Sequence, residues 1–136
     1  MNIRPASDDC LWRAVTLPAA AQAVPDGRAW SRKIMKEWQL DEMTDVLQQL
    51  MSELVTNSIQ HADTSCVRVL LTHAAGTLRL DVSDDDVIRL PVRAQAGVDD
   101  ISGRGLAIVE ALSDTWGVRV TVCAKTVWCE FSTWRG

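Results

Sequence analysis

The order of elements along this chain predicts an α+β fold, a two-layer sandwich with helices on one face of a mixed, mainly antiparallel sheet. Two observations carry that expectation. Apolar residues recur at helical spacing in the first half, over Trp30–Trp38 and Leu47–Ile59, and alternate with polar residues in the second half, from Val67 onward. A single helix signal then stands among the strands, after Gly105, so helices and strands segregate into layers rather than alternating strictly.

Residues 1–10 are polar, with one proline and two aspartates, and read as a flexible arm; 11–136 read as one domain. Leu11 to Leu17 alternates and stops at Pro18, a short first strand. Pro25-Asp26-Gly27 is a turn signal that either interrupts or begins a helix, and Trp30, Ile34 and Trp38 carry that helix to about Gln39. Asp41 is suited to cap the next helix, with Glu42 and Asp45 in its first turn. Leu47, Leu50, Met51, Leu54, Val55 and Ile59 form its broad apolar face, which ends near Asp63. Val67, Val69 and Leu71 define a strand, Ala74-Ala75-Gly76 a tight turn, and Thr77 to Ser83 the hairpin partner. Asp85–Ser102 has no sustained periodicity, and a connection of that length inside a small domain is commonly functional. After Gly103-Arg104-Gly105 a short helix runs through Leu106, Val109 and Leu112. Gly117 opens an alternating stretch, and Thr126 to Phe131 closes the chain as a last strand.

The composition excludes several classes. With a net charge of −4 and no lysine/arginine cluster, the chain lacks the basic surface of a nucleic-acid binder. No apolar run approaches the ~20 residues of a membrane span, and the N-terminus has no signal-peptide layout, so the protein is expected in the cytoplasm. Cys10, Cys66, Cys123 and Cys129 show no metal-ligand spacing and read as reduced thiols. Six tryptophans beside one phenylalanine serve as packing anchors or, where exposed, as a partner surface.

Three groups are capable of chemistry. On the second helix, at ~100° per residue, Glu53 and Asn57 lie ~40° apart at the border of the apolar arc, with His61 one turn further. A general base beside a magnesium-coordinating carboxamide oxygen is one reading of that pair; a surface glutamate and a locally bonded asparagine is the other. In the second hairpin strand, Leu78, Leu80 and Val82 share a face, and parity places Asp84 next on it. A carboxylate ending a buried row needs donors, which the amine of a purine would provide, unless it simply turns into the loop. Ser102-Gly103-Arg104-Gly105-Leu106 at a helix start suits a phosphate, although one Gly-x-Gly is neither a dinucleotide fingerprint nor a Walker A motif.

Taken in order, a Glu/Asn helix, a strand-end aspartate, a long loop and a Gly-x-Gly helix resemble the GHKL ATP-binding superfamily. Within it, the chain is similar to the RsbW-type anti-sigma-factor serine kinases and their actinobacterial relatives. The most specific stretches are Glu53-Leu-Val-Thr-Asn57-Ser-Ile-Gln-His61-Ala62, Ser102-Gly-Arg-Gly-Leu-Ala-Ile-Val109 with Trp116-Gly117, and Lys125-Thr-Val-Trp-Cys-Glu-Phe131. The resemblance implies the GHKL (Bergerat) sandwich with ATP and Mg²⁺ as cofactors. It implies Glu53 as general base, Asn57 as magnesium ligand and Asp84 as the adenine-reading aspartate. Gly103, Arg104, Gly105 and Leu106 would lie at the phosphates, Thr126 would support the adenine site, and the loop between Asp85 and Ser102 would be the lid. The family's D-x-G-x-G box reads Asp84-Asp-Asp86-Val-Ile88, so both glycines are replaced, which bears on the lid hinge and adds negative charge near the nucleotide.

Two functions follow as expectations. The first is a serine/threonine kinase of the anti-sigma-factor type that binds a sigma factor, phosphorylates a STAS-type anti-sigma-factor antagonist, or does both. The second is a non-catalytic ATP-binding or degenerate module that sequesters a transcription regulator; it is favoured by the missing glycines, and exposure of Trp30 or Trp38 would add to it. A homodimer is implied by the resemblance alone, and neither nucleic acid nor membrane is an expected partner.

Overall fold

The computed structural model describes residues 10–87 and 100–133, the side chains of 100–105 excepted. The arm assigned to residues 1–10 therefore lies, but for Cys10, outside the described residues, as does most of the loop between Asp85 and Ser102. In chain order the elements are β1 (Cys10–Pro18), α1 (Ala23–Glu37), a 3₁₀ turn (Asp41–Met43), α2 (Thr44–His61), β2 (Cys66–Ala74), β3 (Thr77–Asp84), α3 (Asp100–Leu112), β4 (Thr115–Val120) and β5 (Lys125–Ser132).

The strands form one sheet in the order β1-β2-β3-β5-β4, and every described pairing is antiparallel. This is the expected helix-covered, mainly antiparallel sheet, and its topology explains why every described pair is antiparallel. The connection through α3 makes β3 and β4 run in the same direction, but β5 inserts between them and pairs with both. No parallel ladder results.

One face of the sheet packs on the helices. Leu17, Val67, Val69, Leu71, Leu78, Leu80, Val82, Val127, Cys129 and Phe131 alternate inward along their strands. They meet Leu47, Leu50, Met51, Leu54 and Val55 of α2, which form a continuous stripe on that helix. Each such side chain contributes about 1.5–3 kcal/mol by leaving water. Trp30 and Trp38 pack against this core, so neither is the exposed partner surface; among the described residues the exposed tryptophan is Trp12, 59% accessible on the edge strand β1. Burial pushes the Cys129 thiol up to about 12, so it is a packing group and not a nucleophile.

Helix boundaries depart from the sequence reading where local rules compete. Pro25-Asp26-Gly27 lies at the start of α1, with Pro25 in the first turn, where a proline loses only an N–H that has no helical partner. Gly27 also lets α1 approach α2: a Cβ there would sit 3.2 Å from Met51 Sδ. Past its last turn α1 closes with Gln39 at φ 59°, the Leu40 N–H donating to Met35 C=O at 2.8 Å and the Gln39 N–H to Lys36 C=O at 3.1 Å. Asp41 opens the 3₁₀ turn and not α2, whose N-cap is Met43 with no side-chain cap.

The other sheet face carries polar residues. Arg79 makes both Nε and Nη2 contacts to Asp81 (3.0 and 3.1 Å), reaches Glu130 at 3.1 Å, and lies 4.4 Å from the Trp128 ring centroid. Trp128 in turn covers Gly117 on β4, where an added Cβ would be 2.8 Å from the indole. Gly117→Ala is expected to push β4 off Trp128 and to cost about 1–3 kcal/mol, read as a lower urea midpoint with an unchanged slope.

Candidate functional site

The last two turns of α2 carry the site. Glu53 and Asn57 are both half-buried, one turn apart beside the buried stripe, and Ser58 next to Asn57 is fully packed away at 7% exposure. Ser58 sits there because it continues the line of Leu54 toward the sheet. Its hydroxyl donates to Asp84 Oδ2 at 3.1 Å, which ties α2 to the end of β3.

Asp84 is where alternation placed it, closing the buried row of Leu78, Leu80 and Val82 with 2% exposure. Its Oδ1 accepts the Asp86 backbone N–H at 2.9 Å and lies 3.7 Å from Lys125 Nζ. Lys125 stands opposite Asp84 in the β3/β5 register, and its side chain is only 8% exposed. Two opposite charges thus enter the interior together, which limits the desolvation that either alone would incur. Asp86, at the first replaced glycine of the box, turns its carboxylate back to accept the Asp63 N–H at 2.7 Å. With the Asp85 N–H donating to Thr64 Oγ1 at 3.2 Å, it fastens the end of β3 to the segment that follows α2. Ile88, at the second glycine, lies outside the described residues.

Thr126 is placed differently from the expectation. It belongs to the opposite sheet face, where its hydroxyl meets Ser83 Oγ at 2.7 Å in an open cleft also lined by Thr16, Arg68, Asp81 and Arg119. The position beside Asp84 belongs to Lys125, one residue earlier. Sequence reasoning passed over Lys125, yet the signal was present: stepping back by two from Phe131 through Cys129 and Val127 lands on it.

Gly103, Arg104, Gly105 and Leu106 all fall inside α3, which begins at Asp100, so the Gly-x-Gly lies within the helix and not in a loop before it. The backbone N–H groups from Asp100 to Gly103 are the helix's first four, which have no acceptor four residues back and favour an anion. Leu106 and Val109 are fully buried, and α3 packs on α2. The structure therefore brings the Glu53/Asn57 helix, Asp84 and the Gly103 helix to one side of the sheet. Among the described residues no group of three or more His, Cys, Asp or Glu could hold a metal alone. No helix among the described residues is long and apolar enough to cross a membrane.

Known proteins are similar to this chain in sequence and fold. Residues 17–128 match the histidine kinase-like ATPase domain family. An uncharacterized protein of Streptomyces coelicolor, SCO4941, is 37% identical over 84 residues, covering 59% of this chain and 79% of that one. In the crystal structure of the RsbU and RsbW domains of Rv1364c from Mycobacterium tuberculosis, the same fold recurs with a TM-score of 0.68. That match is 21% identical and covers 90% of this chain, which spans 32% of the length of that chain. A GHKL-type sandwich that matches the family over 17–128 leaves one assignment: the chain belongs to the histidine kinase-like ATPase domain family.

Proposed function

We propose that the protein binds ATP between α2 and α3 and transfers the γ-phosphoryl group to a serine or threonine of a regulatory protein. The partner class is the one the RsbW-type resemblance implies, a STAS-type anti-sigma-factor antagonist, with a sigma factor as a second binding partner in the cytoplasm. The observation that carries this reading is the linkage of Glu53 and Asn57, through the adjacent Ser58, to the buried carboxylate of Asp84. In one turn and a half of helix the chain has a base, a metal-binding oxygen and the anchor of the base-reading group.

In this mechanism Glu53 takes the proton from the partner's hydroxyl as that oxygen forms its bond to the γ-phosphorus. The bond from phosphorus to the β-bridging oxygen breaks, and ADP leaves with that electron pair. Asn57 Oδ1 would hold Mg²⁺, which when bound neutralises phosphate charge. The N–H groups at the start of α3 orient the phosphates, and Asp84 fixes the base.

A non-catalytic nucleotide-binding module that sequesters its partner is the second reading. Asp86 favours it: a buried carboxylate stands where the family has glycine and is fastened to Asp63. The two readings separate in one experiment with γ-labelled ATP, Mg²⁺ and candidate antagonists. Label appearing on a partner serine or threonine supports the kinase. ATP binding by calorimetry with no transfer to any partner supports the module, and absence of ATP binding overturns both.

A further inference from the structure

The sheet face away from the helices carries a cleft of its own, and nothing about it rests on the nucleotide reading. We infer that this cleft docks an acidic segment of a protein partner, with Arg119 holding one of the segment's carboxylates.

Strand register builds the cleft. Thr16, Arg68, Ser83, Thr126 and Arg119 stand opposite one another in turn, one from each strand across the whole sheet. Residues opposite one another in a ladder share a face, and alternation sends their chain neighbours Asp84 and Lys125 to the helix side. The row lines an open cleft of about 260 Å³, to which Ala14 and Leu70 of the next row add apolar surface.

The polar groups of the cleft are donors with little left to bind. Of the three charged side chains that line it, two are arginines and one is Asp81. Asp81 is buried and its oxygens already accept from Arg79 Nε and Nη2 at 3.0 and 3.1 Å. Arg119 is 57% exposed, and among the described residues its one contact is with Asp81 Oδ2 at 3.9 Å, beyond hydrogen-bond reach. Its guanidinium thus keeps five N–H donors for another acceptor. Ser83 and Thr126 share one hydrogen bond of 2.7 Å between their hydroxyls, so one of the two hydroxyl protons lacks an acceptor among the described residues. Unspent donors beside a guanidinium fork match a carboxylate.

The spacing favours a peptide segment. Arg68 and Arg119 stand three strand spacings apart in the row, about 14 Å between backbones. In an extended segment, residues four apart lie on one face at about 13 Å, so two acidic side chains in that relation reach both arginines. The net charge of −4 opposes a polyanion at long range, so the cleft selects carboxylates by position and not by charge density.

The test is a titration of the isotope-labelled whole chain with a short synthetic peptide that alternates glutamate and alanine, followed by amide NMR. The signals of Ser83, Thr126 and Arg119 are expected to shift, and those of exposed Lys33 on α1 to stay in place. Arg119→Gln is expected to weaken the peptide at least about tenfold, the scale of one charge-assisted hydrogen bond. Lys33→Gln removes the same charge from the helical layer and is expected to change nothing. Arg119 makes no hydrogen bond among the described residues, so its replacement leaves the fold intact. Absence of shifts on this face overturns the inference. Equal weakening by both variants does so as well, because the attraction is then one of net charge. Equal binding of a peptide with lysine in place of glutamate overturns it too. Inorganic phosphate that shifts the same signals with the affinity of the peptide replaces the partner segment with a free oxyanion. Shifts of these signals with protein concentration alone assign the face to a second copy of the chain and overturn the inference.

Discussion

Glu53→Gln is expected to lower phosphoryl transfer to the partner by about 10²–10⁴-fold while leaving ATP affinity close to wild type. Glutamine keeps the length and shape of the side chain but cannot take a proton. The substitution therefore removes proton acceptance and little else. Glu53 is half-buried on α2 and, among the described residues, has no ion pair whose loss would disturb the fold. The contrast is Asn57: on this mechanism Asn57→Ala weakens Mg-ATP binding and so raises KM. Initial rates of label transfer, with calorimetric ATP affinity and a thermal melt as controls, separate the two residues. A Glu53→Gln protein that transfers phosphate at the wild-type rate would remove Glu53 from the chemistry. A parallel fall in melting temperature and rate would reduce its role to a structural one.

How much of this was legible in the sequence follows from the range over which each signal acts. Strand alternation is local and strong, so Leu78, Leu80 and Val82 sufficed to place Asp84 on the buried face. The amphipathic stripe from Leu47 to Ile59 likewise placed Glu53 and Asn57 at its half-buried border. Boundaries set by competing local rules were less legible. Pro25-Asp26-Gly27 has the residues of a turn but is used as a first helical turn, and Asp41 was suited to cap α2 yet begins a 3₁₀ turn. The insertion of β5 between β3 and β4 was not legible, since it depends on pairing between strands far apart in the chain and no short stretch of sequence encodes that. The Thr126 expectation failed for a different reason. It transferred a residue by its identity, and in a strand a shift of one position exchanges the two faces. Parity would have chosen Lys125, whose charge makes it an unusual occupant of a row shared with Val127, Cys129 and Phe131.

That charge sets the largest stability effect we expect. Asp84→Ala should destabilise the domain by about 3–5 kcal/mol, because it removes the carboxylate that faces the buried Lys125 ammonium. The Ser58 hydroxyl and the Asp86 N–H lose their acceptor in the same step. Against a typical total of about 5–15 kcal/mol, this is enough to unfold a substantial fraction of the protein. A simple cavity would not behave this way, and a double-mutant cycle tells the two apart. If the loss arises mainly from a stranded charge, Asp84→Ala combined with Lys125→Met removes that charge and should be more stable than Asp84→Ala alone. If the loss is mainly packing, the second substitution adds to the first. Urea unfolding of the two single variants and the double variant gives the coupling directly. An Asp84→Ala protein within about 1 kcal/mol of wild type would mean that the Lys125 ammonium is hydrated or held by other groups once Asp84 is gone, so that the pair adds little to stability.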